Sequence, residues 1–319
     1  MNSFSEHVPF NRDSILSLVP HEARSSVEYE LTKEQVEEIR FRPGRKIELV
    51  TRRGRKLLDD FLFSSDDAVY VINQLSQHSV YAFEEELKHG YITLKGGHRV
   101  GLGGEAVVEA GKVKTLKHIR SFNIRISRSI HGVCEPYVDH LFHHGWNNIL
   151  IAGPPQSGKT TLLRDVAKVA SDGWKAKQIP PSKVAIVDER SEIAASFEGV
   201  PQFDIGERTD VLDRCPKAEG MMMLVRSMSP DLIIVDEIGS NTDKVAIKEA
   251  IRAGVSILCT AHAKTFENLY DRDIFVRGLF DGVIMLDHDK RGTYYSGKEI
   301  HRALDWSARR AHIDDRRRV

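Results

Sequence analysis

An α/β fold with a mainly parallel sheet, preceded by a separate α+β domain, is what this 319-residue sequence predicts. Three observations lead there. Gly153-Pro-Pro-Gln-Ser-Gly158-Lys159-Thr160 is a complete phosphate loop. It lies between a short apolar strand, Asn148–Ala152, and a segment with apolar residues at helical spacing, Thr161–Ala170. Downstream, Lys183–Val187, Leu232–Asp236, Val255–Cys259 and Val283–Leu286 are apolar runs with helical patterns between them, suited to a sheet covered on both faces. Upstream, short segments alternate apolar and charged residues between glycine turns. The later part is therefore expected to be a P-loop NTPase with a RecA-like core, its nucleotide at the C-terminal ends of the strands.

Taken in order, residues 1–134 form the N-terminal α+β domain. A helix is expected around Asp13–Leu18, and Glu38-Ile-Arg-Phe-Arg42 alternates as a half-buried strand does. Arg42-Pro-Gly-Arg45 reads as a turn, Ile47–Val50 as the returning strand and Arg53-Gly54 as another turn. Ser65-Asp-Asp67 carries capping chemistry for a helix continuing to Leu75. A second helix spans about Tyr81–Lys88 and ends at His89-Gly90. Tyr91–Leu94, Arg99–Leu102 and Gly103–Val108 read as short strands joined by glycine turns, and Ser121–Arg128 as the last strand. Val133-Cys-Glu-Pro136 is the expected linker, residues 135–300 the ATPase domain and 301–319 a basic tail. There is no internal repeat or low-complexity tract.

Composition narrows the class. Hydrophobic residues make up 41% and charged residues 29%, as in a soluble globular protein. Lys+Arg and Asp+Glu number 46 each, so net charge gives no reason to expect nucleic acid as a partner. Arg40, Arg42, Arg45, Lys46, Arg52, Arg53, Arg55 and Lys56 do cluster, and Arg309, Arg310, Arg316, Arg317 and Arg318 close the chain. They form either a cationic face or a solvated strand edge and a frayed tail. Cys134, Cys215 and Cys259 are odd in number and lack metal-ligand spacing, which suits a reducing cytosol. No apolar run approaches the roughly 20 residues that span a bilayer, and no signal peptide is evident. A cytoplasmic protein without direct membrane insertion is expected, reaching a membrane only peripherally or through partners.

The loop sets the chemistry. Backbone N–H groups of Gly153, Pro154, Pro155, Gln156, Ser157, Gly158, Lys159, Thr160 and Thr161, proline nitrogens excepted, lie where a glycine-rich turn and a helix N-terminus cradle phosphate oxygens. Lys159 would reach the β/γ-phosphates of ATP, and the Thr160 hydroxyl would ligate Mg2+. Leu232-Ile-Ile-Val-Asp236-Glu237 is a Walker B pattern. Asp236 would hold the metal's shell, and Glu237 would polarise the attacking water. Val187-Asp188-Glu189-Arg190 ends a neighbouring strand in the same way. Glu189 either orients water or couples to Glu237, or it is a structural carboxylate paired with Arg190 or Arg208. His262, in Thr260-Ala-His262, either senses the γ-phosphate or is satisfied by ordinary hydrogen bonds. Met221–Val225 reads as the buried face of a helix.

With these residues in hand, the chain resembles the stage III sporulation protein AA family, ATPases of endospore-forming bacteria. The most discriminating stretch is Gly199-Val-Pro-Gln-Phe-Asp-Ile-Gly-Glu-Arg-Thr-Asp-Val-Leu-Asp-Arg-Cys-Pro-Lys-Ala-Glu-Gly-Met-Met-Met-Leu-Val-Arg-Ser-Met-Ser-Pro-Asp231. Glu38–Arg45, Tyr81–Leu87, Gly96–Gly101 and Phe122–Ser127 agree as well, so the likeness covers nearly the whole chain. The family is similar in turn to secretion and pilus-retraction ATPases. Their acidic box is matched by Asp188-Glu189, and their Arg-x-x-Pro-Asp signature nearly so by Arg226–Asp231. Of their two box histidines only the second appears, as His262, with Val255 in the place of the first. The resemblance implies a hexamer of this chain with nucleotide near subunit borders. It implies arginines that reach a neighbour's γ-phosphate, for which Arg120, Arg125 and Arg128 are the candidates; cross-strand salt bridges are the alternative. It further implies membrane proteins of a sporulation channel complex as partners, at the mother-cell face.

Three functions are weighed. The first is an oligomeric ATPase motor energising a secretion-like channel between mother cell and forespore. The second is a nucleic-acid-stimulated or RNA-binding ATPase. The third is a nucleotide-gated assembly scaffold.

Overall fold

The computed structural model describes residues 11–33, 35–51, 53–76, 87, 90–271 and 278–300. These divide into two compact units. One holds residues 11–129 together with Ala195–Phe203, and the other Ile130–Ala194 together with 204–300. The division thus falls after Ser129, where residue 134 was expected, and it places Ala195–Phe203 with the N-terminal unit. The helix expected over 81–88 (apart from Leu87), Arg52 and the basic tail lie outside the described residues.

The N-terminal unit opens with α1 (Asp13–Leu16) and α2 (His21–Lys33), followed by β1 (Val36–Phe41), β2 (Arg45–Thr51) and β3 (Gly54–Phe63). Next come α3 (Ser65–Ser76), β4 (Tyr91–Thr93), β5 (Arg99–Glu109) and β6 (Lys112–Arg125). The strands form one sheet in the order β3-β2-β1-β6-β5-β4. Ile39, Phe41, Ile47, Leu49, Phe122 and Ile124 point into a shared core with Val27, Val71 and Leu75 of the helices. α2 and β3 had no clear signal, because their charged residues interrupt any simple period. The two short strands expected over 99–108 are one. Gly103-Gly104 bulges the ladder instead of turning it, since a Cβ on Gly104 would sit 2.6 Å from Lys117 O.

The second unit starts with α4 (Val138–Leu141) and β7 (Ile149–Gly153). It continues through α5 (Lys159–Asp172), β8 (Val184–Asp188), β9 (Thr209–Asp213), α6 (Lys217–Ser227) and β10 (Leu232–Val235). The last elements are α7 (Asn241–Arg252), β11 (Ser256–His262), α8 (Phe266–Asp271), β12 (Gly282–Leu286) and β13 (Gly292–Ser296). The sheet order is β13-β12-β7-β11-β10-β8-β9, parallel throughout except for the antiparallel edge strand β13. β7, β8 and β10 are buried along their whole length, which is why they read as unbroken apolar runs. Met221 and Leu224 of α6 and Ile247 of α7 pack with Leu150, Val187 and Val235. Of the methionine run, Met221 is fully buried while Met223 is 48% exposed. α7 begins with a capping box, Ser240 and Asp243 each bonding the other's backbone N–H.

The parallel register decides what meets at the sheet's C-terminal edge. Val187 of β8 lies level with Val235 of β10, Val235 with Cys259 of β11, and His262 of β11 with Gly153 of β7. Asp188-Glu189, Asp236-Glu237, His262 and the loop after Gly153 therefore share one edge.

Candidate functional site

The loop joining β7 to α5 needs glycine at two positions. A Cβ on Gly153 would stand 2.6 Å from Ser157 Oγ and 2.8 Å from Leu286 O. Gly158 has φ 93° and Gln156 φ 64°, both left-handed, and this curls the loop over the start of α5. No side chain caps α5 and no acidic residue lies in its first turn, so its positive end keeps its backbone donors. Pro154 and Ser157 are buried, Pro155 and Gln156 exposed, and Thr160 and Thr161 half-buried on the first turn.

Lys159 is 7% exposed and makes three contacts at its ammonium. It donates to Gly153 O at 3.0 Å and Pro154 O at 2.7 Å, and lies 3.1 Å from His262 Nδ1. Burial pushes its pKa down, with the Glu237 charge working the other way. An ammonium has only protons to give, so Nδ1 of His262 accepts and the ring's proton sits on Nε2. That nitrogen lies 3.4 Å from Glu237 Oε2. Arg190 Nη1 approaches the same oxygen at 3.5 Å. Glu237 N donates to Thr260 Oγ1 at 2.8 Å, which ties the end of β10 to β11. His262 closes β11 as its last residue, where a position just after the strand was expected. Of its two readings, the geometry gives it specific partners, Lys159 and Glu237.

The acidic pairs take different parts. Asp188 is fully buried and accepts N–H bonds from Glu192, Ile193 and Ala194 at 2.7 to 3.0 Å, so it shapes the chain beyond β8. Burial still raises its pKa. Asp236 is 4% exposed, and its Oδ1 has no hydrogen-bond partner among the described residues. Burial pushes its pKa up to about 7; Lys217 opposes the shift, while Asp188, Glu192 and Glu189 add to it. Glu189 is ion-paired to Lys217, where Arg190 or Arg208 had been the expected structural partners. Lys217 is the site residue that sequence reasoning missed. It opens α6 far from any nucleotide motif, and the only hint was its place inside the discriminating 199–231 stretch.

Arg120 and Arg125 are exposed on β6 of the N-terminal unit, Arg125 level with Glu38 and Arg99. Arg128 donates to Val36 O at 3.4 Å. None of the three belongs to the unit that carries the loop.

The donor set suits a polyphosphate with a hard divalent cation. Uncapped helix donors, a buried lysine, and the buried Ser157 Oγ and Asp236 Oδ1, which have no hydrogen-bond partner among the described residues, face a common edge. No group of three or more His, Cys, Asp or Glu side chains placed to hold a metal ion occurs among the described residues.

Comparison with known proteins agrees with this architecture. The family model described as "Sporulation stage III, protein AA" matches residues 11–301. The Bacillus subtilis protein named stage III sporulation protein AA is 47% identical over 272 residues, 85% of each chain. Among solved structures, the Yersinia pseudotuberculosis ATPase DotB superposes with a TM-score of 0.58 at 15% identity, covering 95% of this chain and 87% of its own. The pilus retraction motor PilT with bound ADP gives 0.55 at 16% identity, covering 82% and 76%. At that identity the likeness is one of fold: the α/β P-loop architecture of secretion ATPases.

Proposed function

This chain belongs to the sporulation stage III protein AA family, and on that premise we propose that it binds and hydrolyses ATP as the oligomeric motor of a sporulation channel complex. The observation that carries the hydrolytic reading is the contact chain Lys159–His262–Glu237 at the uncapped start of α5. It joins a phosphate-loop cation to a carboxylate through a histidine of fixed tautomer. The loop donors from Gly153 to Thr161 hold the phosphates, and Lys159 exchanges its carbonyl partners for β/γ oxygens. Glu237, held between His262 and Arg190, orients the attacking water and accepts its proton. Thr160 and Asp236 would hold Mg2+ together with the phosphates, and the ion would neutralise charge that builds on them.

A hexamer, with Arg120, Arg125 or Arg128 reaching a neighbour's nucleotide, is proposed by analogy with the secretion ATPases. So are membrane-protein partners at the mother-cell face. Among the described residues no helix is long and apolar enough to cross a membrane.

Purified chain with Mg-ATP tests the chemistry. Lys159→Ala should lose ATP binding, and Glu237→Gln should bind ATP yet turn over at least about 100-fold more slowly. Turnover at the wild-type rate by both variants sinks the assignment. A chain that stays monomeric by light scattering, with and without a non-hydrolysable ATP analogue, sinks the ring.

A further inference from the structure

Lys217 stands where two acidic strand ends meet. Its side chain is 10% exposed, ion-paired to Glu189 beyond β8 and 3.8 Å from Asp236 Oδ1 beyond β10. It reaches this position because α6 packs unusually close to β8. A Cβ on Gly220, one turn further along α6, would lie 2.6 Å from Val187 Cγ1. Asp188 and Glu192 add two more carboxylates to the neighbourhood. Asp188 is committed to backbone N–H groups, whereas the Glu189 carboxylate is held by its ion pair with Lys217. An unrestrained carboxylate beside Asp236 would compete for any cation held there.

We propose that Lys217 is a positioning residue of the ATP site, holding Glu189 aside so that Asp236 alone of this pair serves the metal and Glu237 alone serves the water. The inference rests on the ATPase reading above and adds a partner to it. Glu189 thereby changes from a candidate base to a held group whose release harms turnover. An ammonium 3.8 Å from Asp236 also weakens the site's hold on a dication, so Lys217 keeps the metal exchangeable.

The test is a cycle of Lys217→Gln, Glu189→Gln and the double variant, each read for ATP turnover across a magnesium series, with melting temperature alongside. In Lys217→Gln, kcat should fall about tenfold or more while KM for ATP stays within about twofold. The magnesium concentration for half-maximal rate should fall severalfold, because a cation leaves and a carboxylate is freed. Adding Glu189→Gln removes the freed carboxylate, so the double variant should outperform Lys217→Gln. A merely structural lysine predicts otherwise: kcat and KM worsen together with melting temperature, the magnesium requirement does not fall, and the two losses add. That pattern overturns the proposal. If Lys217→Gln fails to fold, a folded and active double variant supports the proposal and an unfolded one overturns it. Wild-type chain that neither binds a fluorescent ATP analogue nor turns over ATP refutes the ATPase reading itself. An active wild type with an additive cycle refutes only the role of Lys217.

Discussion

Acid should weaken the N-terminal unit through one histidine. His98 precedes β5 and is 1% exposed. Ser127 N donates to its Nδ1 at 3.1 Å, and its Nε2 lies 3.0 Å from Asn11 O. An N–H pointing at Nδ1 requires that nitrogen to be unprotonated, so the ring is the neutral Nε2–H tautomer. Burial pushes its pKa down to about 4, opposed by the bond to the Asn11 carbonyl and aided by the Arg128 charge. An unfolded histidine titrates near 6.5, so as pH falls the unfolded chain takes the proton first. The stability His98 confers is complete above about pH 6.5 and is lost as pH falls toward about 4. The whole difference is about 3 kcal/mol, of which about 2 has gone by about pH 5. The assay compares urea unfolding of wild type and His98→Asn across that range. Asparagine keeps an acceptor for Ser127 N but has no proton to gain. The stability gap between the two proteins should shrink by about 2 kcal/mol between about pH 7.5 and about pH 5. A gap that stays constant, or an imidazole seen by NMR to titrate near 6.5, refutes the reasoning.

Two further substitutions test how the second unit is held together. The Asp165 carboxylate on α5 accepts Gly132 N at 3.0 Å and Cys134 N at 2.7 Å. Asp165→Ala strands both donors and should cost about 2–4 kcal/mol in denaturant unfolding, with Asp165→Asn milder because it retains an acceptor; equal stability of Asp165→Ala and wild type contradicts this. Gly220→Ala drives a methyl into Val187 and should cost about 1–3 kcal/mol. It should also slow ATP turnover by displacing Lys217, and a variant with unchanged melting temperature and rate shows that α6 has room to spare.

Legibility from sequence followed burial. β7, β8 and β10 were visible because strands covered on both faces can be built only from apolar residues. The loop was visible because Gly153 and Gly158 answer steric demands that no other residue meets at those places. β9 and β13 were not, since edge strands are only partly buried and carry no continuous apolar run. The Gly103-Gly104 pair misled for a related reason. Glycine marks an irregular backbone, but whether the irregularity is a turn or a bulge depends on the partner strand, here Lys117 across the ladder.

The same logic separates the parts of the site. Lys159, Asp236 and Glu237 are tied to short local motifs, so spacing finds them. Glu189 was found by spacing too, but its state was not, because the deciding residue is 28 positions away. Lys217 comes to Glu189 through three long-range facts. β9 adds to the sheet edge beside β8, the chain re-enters through Pro216 into α6, and Gly220 lets that helix settle against Val187. None of these is written within a window of a few residues. A carboxylate named from a motif is therefore only half described until the fold supplies its counter-ion. In this chain the counter-ion is Lys217, and on the proposed reading it turns Glu189 from a second base into a group kept away from the metal, which leaves the water to Glu237.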